Sequence, residues 1–264
     1  MARVTGSHLI GKALKLEGVN NIFYLAGDHI LPALDVMADQ DFRFIDTRHE
    51  AAAVHMADAY ARITGQIGVS MYTTPGFANA IPGLTNALHS ESPLLSISGS
   101  ADLSEAGRGS MQEIDQVGMA KPVTKGAWMV TDARRIPEFF ARAFRTALTG
   151  RRGPVHLTIP VDVQTAEVDE SRVRFYEPQE YRPTGKVQGD PANVKAAIEL
   201  LQTAQRPVVV AANGAYDVTR EDLERLIDVT HMPLLAEELG RGIVSDDHPY
   251  CFGFSDSRIS ETAA

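Results

Sequence analysis

The sequence predicts an α/β protein, with a doubly wound parallel sheet followed by an incomplete second α/β domain. Two observations support this prediction. Short β-prone runs alternate with helical patterns of roughly 10–15 residues, which is typical of βαβ units and a parallel sheet covered on both faces. The alternation stops in a charged stretch with several prolines and glycines after residue 165, and it restarts near residue 191.

The first domain is predicted from the spacing of its apolar residues. Leu9, Ile10 and Leu14 share one face of a helix that Gly18 can end. Similar patterns predict helices over residues 7–17, 30–38, 50–64, 77–88, 111–119 and 134–149. β-prone runs predict strands over residues 22–25, 42–46, 67–72, 94–98 and 155–159, and an extra strand over residues 127–130 stays open.

A second domain begins after a polar linker. We place the first domain at residues 1–175, the linker at 176–190 and the second domain at 191–264. The second domain has predicted helices over residues 191–204 and 219–229 and predicted strands over residues 207–212 and 232–236. About 75 residues with few strands and an exposed sheet edge make a poor independent unit, so we expect the chain to belong to a longer protein.

Composition excludes several classes of protein. The net charge is -9 and no long basic run is present, which argues against nucleic acid and against an anionic membrane surface as partners. No apolar stretch approaches the roughly 20 residues of a membrane helix, and the N-terminus lacks the apolar core of a signal peptide. The single cysteine, Cys251, allows no disulfide within the chain, which fits a cytoplasmic protein.

Glu50 is the most informative residue, because it stands where strand 42–46 ends and helix 50–64 begins. Open α/β sheets bind ligands at such junctions. The alternative is a first-turn charge favoured by the helix dipole, worth about 0.3–1 kcal/mol. The three alanines that follow would let another surface approach closely. A carboxyl group in so dry an interface can stay protonated and share its proton.

The turn after the first strand, Gly27-Asp28-His29, is expected at the same edge of the sheet as Glu50. Asp28 could serve only as a helix cap, and His29 could be an exposed residue at a helix start. A histidine at that edge could instead carry out acid–base work near neutral pH.

Two later segments are candidates on weaker grounds. Gly76, in a loop predicted over residues 73–76, permits close backbone approach, and the following helix offers free N–H donors. The segment is neither a P-loop nor a GxGxxG fingerprint. The second segment is residues 111–116, whose default interpretation is the polar face of a helix.

The chain has no HExxH, CxxC or GxSxG motif, so zinc and serine hydrolysis lack support.

Taken together, these segments resemble the thiamine-diphosphate-dependent enzymes of the acetohydroxyacid synthase, benzaldehyde lyase and 2-hydroxyacyl-CoA lyase group. The matching segments are Arg48-His49-Glu50 with AAAVHMADAYARITG, TTPGFANA, LLSISGS, MQEIDQVGMAKPVTK and GPVHLTIPVDV, in the family's order and spacing. Residues 1–175 resemble the pyrimidine-binding domain of that family, and residues from about 190 onward resemble the first half of its central domain.

The resemblance implies roles for residues on the cofactor side of the site. Glu50 would hydrogen-bond the aminopyrimidine ring nitrogen of thiamine diphosphate and favour the imino tautomer, whose nitrogen removes the thiazolium C2 proton. Pro75, Gly76 and Asn79 would lie around the pyrimidine. The thiazolium then acts as the electron sink, so most of the chemistry belongs to the cofactor.

On the substrate side, the resemblance implies that His29 and Gln112 act on the substrate, with Ala26, Gly27 and Asp28 beside it. This turn differs from the Pro-Gly-Gly type of turn in acetohydroxyacid synthases. A histidine at position 29 resembles the corresponding turn of benzaldehyde lyase. We therefore favour a carbon–carbon lyase or carboligase acting on 2-hydroxyacyl substrates (2-hydroxyacyl-CoA or a 2-hydroxyketone) or 2-keto acids. Acetolactate synthase is the alternative, and a non-catalytic interaction module is an alternative of another class.

The family holds the diphosphate and Mg²⁺ with a Gly-Asp-Gly segment on a third domain, and the sequence contains no such segment. We therefore expect no metal ligand in this chain, a C-terminal diphosphate-binding domain as its partner, and no activity of the chain alone. The resemblance also implies a second copy of the protein that shares the active site, in a dimer or tetramer. The Asn213-Gly214 turn could contact the ADP-like group of FAD or of a coenzyme A substrate, and the sequence does not decide between these ligands or show that either binds.

Overall fold

A six-stranded parallel sheet organises the first part of the chain. The computed structural model describes residues 3–182, 185 and 188–254. Within residues 3–182 the strands are β1 (Arg3–Thr5), β2 (Asn21–Tyr24), β3 (Arg43–Asp46), β4 (Gly68–Tyr72), β5 (Leu94–Ser100), β6 (Ala127–Met129), β7 (Pro154–Pro160) and β8 (Glu167–Asp169). The sheet has the order β3-β2-β4-β5-β7-β6 with every neighbouring pair parallel, while β1 and β8 form an antiparallel pair. The predicted doubly wound parallel sheet is confirmed, and β6 is its sixth strand.

Helices connect these strands. They are α1 (Gly6–Leu16), α2 (Leu31–Ala38), α3 (Glu50–Thr64), α4 (Thr74–His89), α5 (Gln116–Ala120), α6 (Ile136–Leu148), α7 (Val161–Thr165) and α8 (Pro178–Tyr181). α3 has the bounds that the sequence predicts, and it ends at Gly65 in the left-handed conformation, with φ of 70°. Within the described residues, no helix combines the length and the apolar character needed to cross a membrane.

Two helices of the first unit, α4 and α5, begin three or more residues from the start that the sequence predicts. α4 begins at Thr74 rather than at residue 77, because Thr73 adopts an extended N-cap conformation and Pro75 suits the first turn of a helix. The predicted loop over residues 73–76 is therefore mostly the first turn of α4. α5 begins at Gln116 rather than at residue 111, because the Asp115 side chain accepts the N–H of Gly118 at 2.8 Å and caps the helix.

The two faces of the sheet differ in chemistry. α1, α2 and α6 pack on the face that we call the apolar face, formed by Val69, Met71, Leu95, Ile97, Val155, Leu157 and Ile159. α3, α4 and α5 pack on the opposite face. Its central strands bury six polar side chains, and we call this the polar face: Ser70, Tyr72, Ser96, Ser98, His156 and Thr158. Parallel sheets normally bury apolar residues on both faces, so the polar face is the exception.

The chain divides into two units, Met1–Thr184 and Gly185–Ala264. The described part of the second unit contains α9 (Pro191–Thr203), β9 (Val209–Ala211), α10 (Arg220–Thr230), β10 (Leu234–Ala236) and β11 (Cys251–Phe254). Its strands are parallel in the order β11-β10-β9. A small core holds them to α10, and it consists of Ala211, Leu223, Ile227, Leu234 and Val244. The sequence predicted each of these elements except β11, and the functional assignment of the two domains stays a prediction.

Candidate active site

The candidate site lies where the strand order of the sheet reverses. From β2 the chain moves outward to β3, whereas β4, on the other side of β2, leads towards β5 and β7. Segments that leave β2 and β4 in opposite directions open a crevice at the carboxyl ends of the strands, which is where such sheets bind ligands. Side chains from the turn after β2, the start of α3 and the start of α4 contact one another there.

Glu50 is the first residue of α3, and only 7% of it is exposed. The turn before it is fixed by Thr47, whose hydroxyl donates to the carbonyl oxygen of Tyr24 at 3.0 Å. His49 is the N-cap residue, and its Nδ1 accepts the N–H of Ala51 at 3.2 Å. The backbone that carries Glu50 is thus tied to both the sheet and the helix.

One hydrogen bond reaches the Glu50 carboxylate within the described residues: Asn79 Nδ2 donates to Oε2 at 3.0 Å. Oε1 faces Gly76, where an added Cβ atom would lie 2.5 Å from it. Because Cβ atoms do not tolerate so short a contact, any side chain at position 76 would displace the carboxylate. The site therefore presents a buried carboxylate with one anchored oxygen, one unengaged oxygen and no cation among its described partners.

His29 lies in the 3₁₀ turn Asp28–Ile30 and is 7% exposed. Its Nδ1 is 3.1 Å from both Thr73 Oγ1 and Thr74 Oγ1. The carbonyl oxygen of His29 accepts Gln164 Nε2 at 2.7 Å, which fixes the backbone of the turn. Within the described residues, no hydrogen bond reaches Nε2 of His29. The imidazole is thus held at one nitrogen and has the other available for acid–base chemistry.

Gln116 joins the start of α4 to the polar face. Its Nε2 donates to the carbonyl oxygen of Gly99 at 2.9 Å, and the Thr74 hydroxyl donates to the same oxygen at 3.0 Å. Its Oε1 accepts a hydrogen bond from Ser98. The sequence interpretation placed Thr73, Thr74 and Gln116 in candidate segments but assigned none of them a role at the site. The pair of threonines directly before a helix-starting proline was the available signal for the first two.

His156 lies at the centre of the polar face and is fully buried. Its Nδ1 is 2.8 Å from Ser96 Oγ, and its Nε2 is 3.0 Å from Thr158 Oγ1. Burial lowers the pKa of His156 to about 3, so the ring is neutral at physiological pH. Tyr72 hydrogen-bonds Ser96, and burial raises the pKa of Tyr72 to about 12, with the charge of Glu50 acting in the same direction. Neither side chain gains or loses a proton near neutral pH.

Four other predicted site residues surround the turn and the start of α4. Gly27 packs against Thr73, where an added Cβ atom would lie 2.6 Å from Cγ2, so a larger residue would push the two segments apart. Ala26, Asp28 and Pro75 are exposed. Their predicted roles beside the substrate or the pyrimidine stay predictions.

Gln112 is not joined to the other site residues. It lies in the loop between β5 and α5, is exposed and has a positive φ of 62°. Among the residues that the structure describes, it forms no hydrogen bond with Glu50 or His29. Its predicted contact with the substrate stays a prediction.

Two protein-family models match the chain. One, described as the N-terminal TPP binding domain of thiamine pyrophosphate enzymes, covers residues 4–119 and contains the crevice. The other, the central domain of thiamine pyrophosphate enzymes, covers residues 194–264. The chain belongs to the thiamine pyrophosphate enzyme family. The resemblance inferred from the sequence motifs is thereby confirmed, thiamine pyrophosphate being another name for thiamine diphosphate.

Curated relatives carry two kinds of name. A probable acetolactate synthase large subunit of Methanocaldococcus jannaschii is 37% identical over 253 residues, which are 94% of this chain and 42% of that protein. A 2-hydroxyacyl-CoA lyase of Arabidopsis thaliana is 31% identical over 252 residues, 94% of this chain and 44% of that protein. Acetolactate synthase isozyme 3 large subunit of Escherichia coli is 31% identical over 261 residues, 96% of this chain and 45% of that protein. The chain thus spans less than half the length of these relatives.

The crevice fits the aminopyrimidine half of the family's cofactor. A ring nitrogen requires a carboxyl oxygen with which to share a proton, and Glu50 Oε1 is unengaged. The missing side chain at Gly76 leaves the room that the Glu50 carboxylate itself occupies. The described residues offer no group of three or more His, Cys, Asp or Glu side chains that could hold a metal ion.

Proposed function

We propose that this chain is the cofactor-activating part of a thiamine-diphosphate-dependent enzyme that breaks or forms a carbon–carbon bond next to a carbonyl group. The supporting observation is the buried Glu50 carboxylate at the strand-order reversal, anchored at Oε2 and unengaged at Oε1. Glu50, Gly76, Pro75 and Asn79 would hold the aminopyrimidine ring, and Oε1 would exchange a proton with its nitrogen. The bound cofactor supplies the electron sink for carbanion chemistry.

His29 supports a 2-hydroxyacyl substrate. Cleavage of the carbon–carbon bond beside a hydroxyl group requires a base that accepts the hydroxyl proton, and ligation requires the reverse. The His29 ring is oriented by two threonine hydroxyls and keeps Nε2 for this purpose. We therefore propose a lyase or carboligase acting on a 2-hydroxyacyl-CoA, a 2-hydroxyketone or a 2-keto acid, with Gln112, Ala26, Gly27 and Asp28 near the substrate.

The second candidate function is acetolactate synthase. Its support is the names of the relatives in Methanocaldococcus jannaschii and Escherichia coli, which are acetolactate synthase subunits. The relative in Arabidopsis thaliana, a 2-hydroxyacyl-CoA lyase, supports the first candidate.

Other parts of the site are proposed to lie outside this chain. The sequence has no Gly-Asp-Gly segment, and the relatives have more than half of their length beyond the matched region. We propose that a C-terminal domain holds the diphosphate and Mg²⁺, and that a second copy of the protein completes the active site. Binding of FAD or coenzyme A rests on the Asn213-Gly214 turn alone.

The test is an assay of the full-length protein with thiamine diphosphate and Mg²⁺. Pyruvate is compared with a 2-hydroxyacyl-CoA and a 2-hydroxyketone, and the products are identified by mass spectrometry. We expect cleavage of the 2-hydroxyacyl substrates to dominate. Acetolactate as the main product would replace the first candidate with the second. If the protein neither binds thiamine diphosphate nor turns over any of these substrates, a non-catalytic interaction module becomes the better description.

A further inference from the structure

Two similar hydrogen bonds join α3 and α4. Near the start of both helices, Asn79 Nδ2 donates to Glu50 Oε2 at 3.0 Å. About two turns further along, Asn86 Nδ2 donates to Asp58 Oδ2 at 2.8 Å. In each case an asparagine of α4 holds a buried carboxylate of α3, because Glu50 is 7% exposed and Asp58 is 3% exposed.

The two carboxylates differ in their other partners. Asp58 is paired with Arg62, whose Nε donates to Oδ1 at 2.8 Å and whose Nη2 donates to Oδ2 at 2.6 Å. A fork of this kind consists of two strong, charge-assisted hydrogen bonds and fixes the orientation of the carboxylate. Glu50 has no such partner among the described residues, and the only donor that reaches it is the neutral amide of Asn79. Both oxygens of Asp58 are therefore held in an ion pair, whereas Glu50 has one oxygen held by a neutral amide and one without a described hydrogen bond.

The amide distinguishes the two oxygens of the Glu50 carboxylate. Oε2 accepts the N–H of Asn79, so a proton on Glu50 belongs on Oε1, the oxygen that faces Gly76. We propose that Asn79 is a positioning residue: it occupies Glu50 Oε2 and so assigns Oε1 as the oxygen that exchanges a proton with the cofactor. This inference rests on the proposed function, and it replaces the direct cofactor contact predicted for Asn79 with an action through Glu50.

The test compares Asn79→Ala with Asn86→Ala in the full-length protein. Asn86→Ala is the matched control, because it removes the same amide from the same helix pair but leaves Glu50 anchored. We expect Asn79→Ala to lower kcat about tenfold to a hundredfold, as loss of a hydrogen bond to a charged group would, with the cofactor KM unchanged. Asn86→Ala should lower the midpoint of thermal unfolding and leave kcat near that of the wild type.

A crystal structure of Asn79→Ala without cofactor gives a readout independent of turnover. The Glu50 carboxylate is expected to rotate, so that Oε1 no longer faces Gly76. An unmoved carboxylate with unchanged kcat would overturn the proposal, and so would a raised cofactor KM with unchanged kcat, which would indicate a direct cofactor contact. An equal loss of kcat in Asn86→Ala would also overturn it. If the wild-type protein shows no cofactor-dependent turnover, the proposed function fails, and the crystal structure still decides whether Asn79 orients Glu50.

Discussion

The two faces of the six-stranded sheet are both buried but hold the protein together in different ways. The apolar face packs aliphatic side chains against α1, α2 and α6. On the polar face, under α4 and α5, hydrogen bonds link His156, Tyr72, Ser96, Ser98 and Thr158 into one network. Burial of a polar group costs free energy unless it is hydrogen-bonded, so the polar face is stable only while its network is intact.

The two faces also differ in whether their side chains are connected to the candidate site. The network of the polar face continues through Ser98 and Gln116 to Gly99 and Thr74, and Thr74 contacts His29. The aliphatic side chains of the apolar face cannot form hydrogen bonds, so no side-chain network of this kind joins them to the crevice. We therefore expect substitutions on the apolar face to alter folding alone, and substitutions on the polar face to alter both folding and the site.

Among the substitutions considered, we expect the largest effect on stability from one in the core of the apolar face. Phe140 of α6 is 1% exposed in this core, and Phe140→Ala should lower the free energy of unfolding by about 3–5 kcal/mol, since it leaves a cavity. Ile198→Ala, at a position that is 50% exposed on α9, is the control and should change it by no more than about 0.5 kcal/mol. Denaturant unfolding measures both. A loss of activity per folded molecule in Phe140→Ala would break the separation of the two faces.

On the polar face, Ser96→Ala removes the hydroxyl that joins Tyr72 to His156. Two buried polar atoms then lack a partner, and we expect a loss of about 1–3 kcal/mol in the free energy of unfolding. Ser171→Ala is the matched control, because its hydroxyl bonds Asp169 on the exposed surface and its loss should be nearly neutral. Equal unfolding midpoints for Ser96→Ala and Ser171→Ala would show that the network contributes nothing.

The pH dependence of stability sharpens the comparison further. The pKa of His156 falls from 6.5 to about 3 on folding, so between these values the unfolded chain binds a proton that the folded chain does not. His156 therefore contributes stability above pH 6.5 that is lost as the pH falls towards 3, with a slope of up to about 1.4 kcal/mol per pH unit. His156→Gln cannot titrate and should show a shallower slope in this window. Identical slopes would contradict the assignment of a buried neutral ring.

The sequence predicted the scaffold better than the contacts at the site. α3 was predicted with its observed bounds because Gly65 ends it and alanines fill it. α4 was placed too late because Thr74-Pro75-Gly76 is typical of a loop, although proline also favours a first helical turn. The alternation of serine with apolar residues along β5 is visible in the sequence. The hydrogen-bond partner of Ser96 and Ser98 could not be predicted, because it is His156 on β7, about 60 residues away.

The role of Glu50 is tested most directly by the turnover of Glu50→Gln in the full-length protein, at saturating thiamine diphosphate and Mg²⁺. Glutamine keeps the size of the side chain and can still accept the Asn79 hydrogen bond, but it cannot exchange a proton. We predict a fall in kcat of about 10²–10⁴-fold, the range for loss of a general acid–base group, with an unchanged thermal unfolding midpoint. A wild-type kcat in Glu50→Gln would contradict the account.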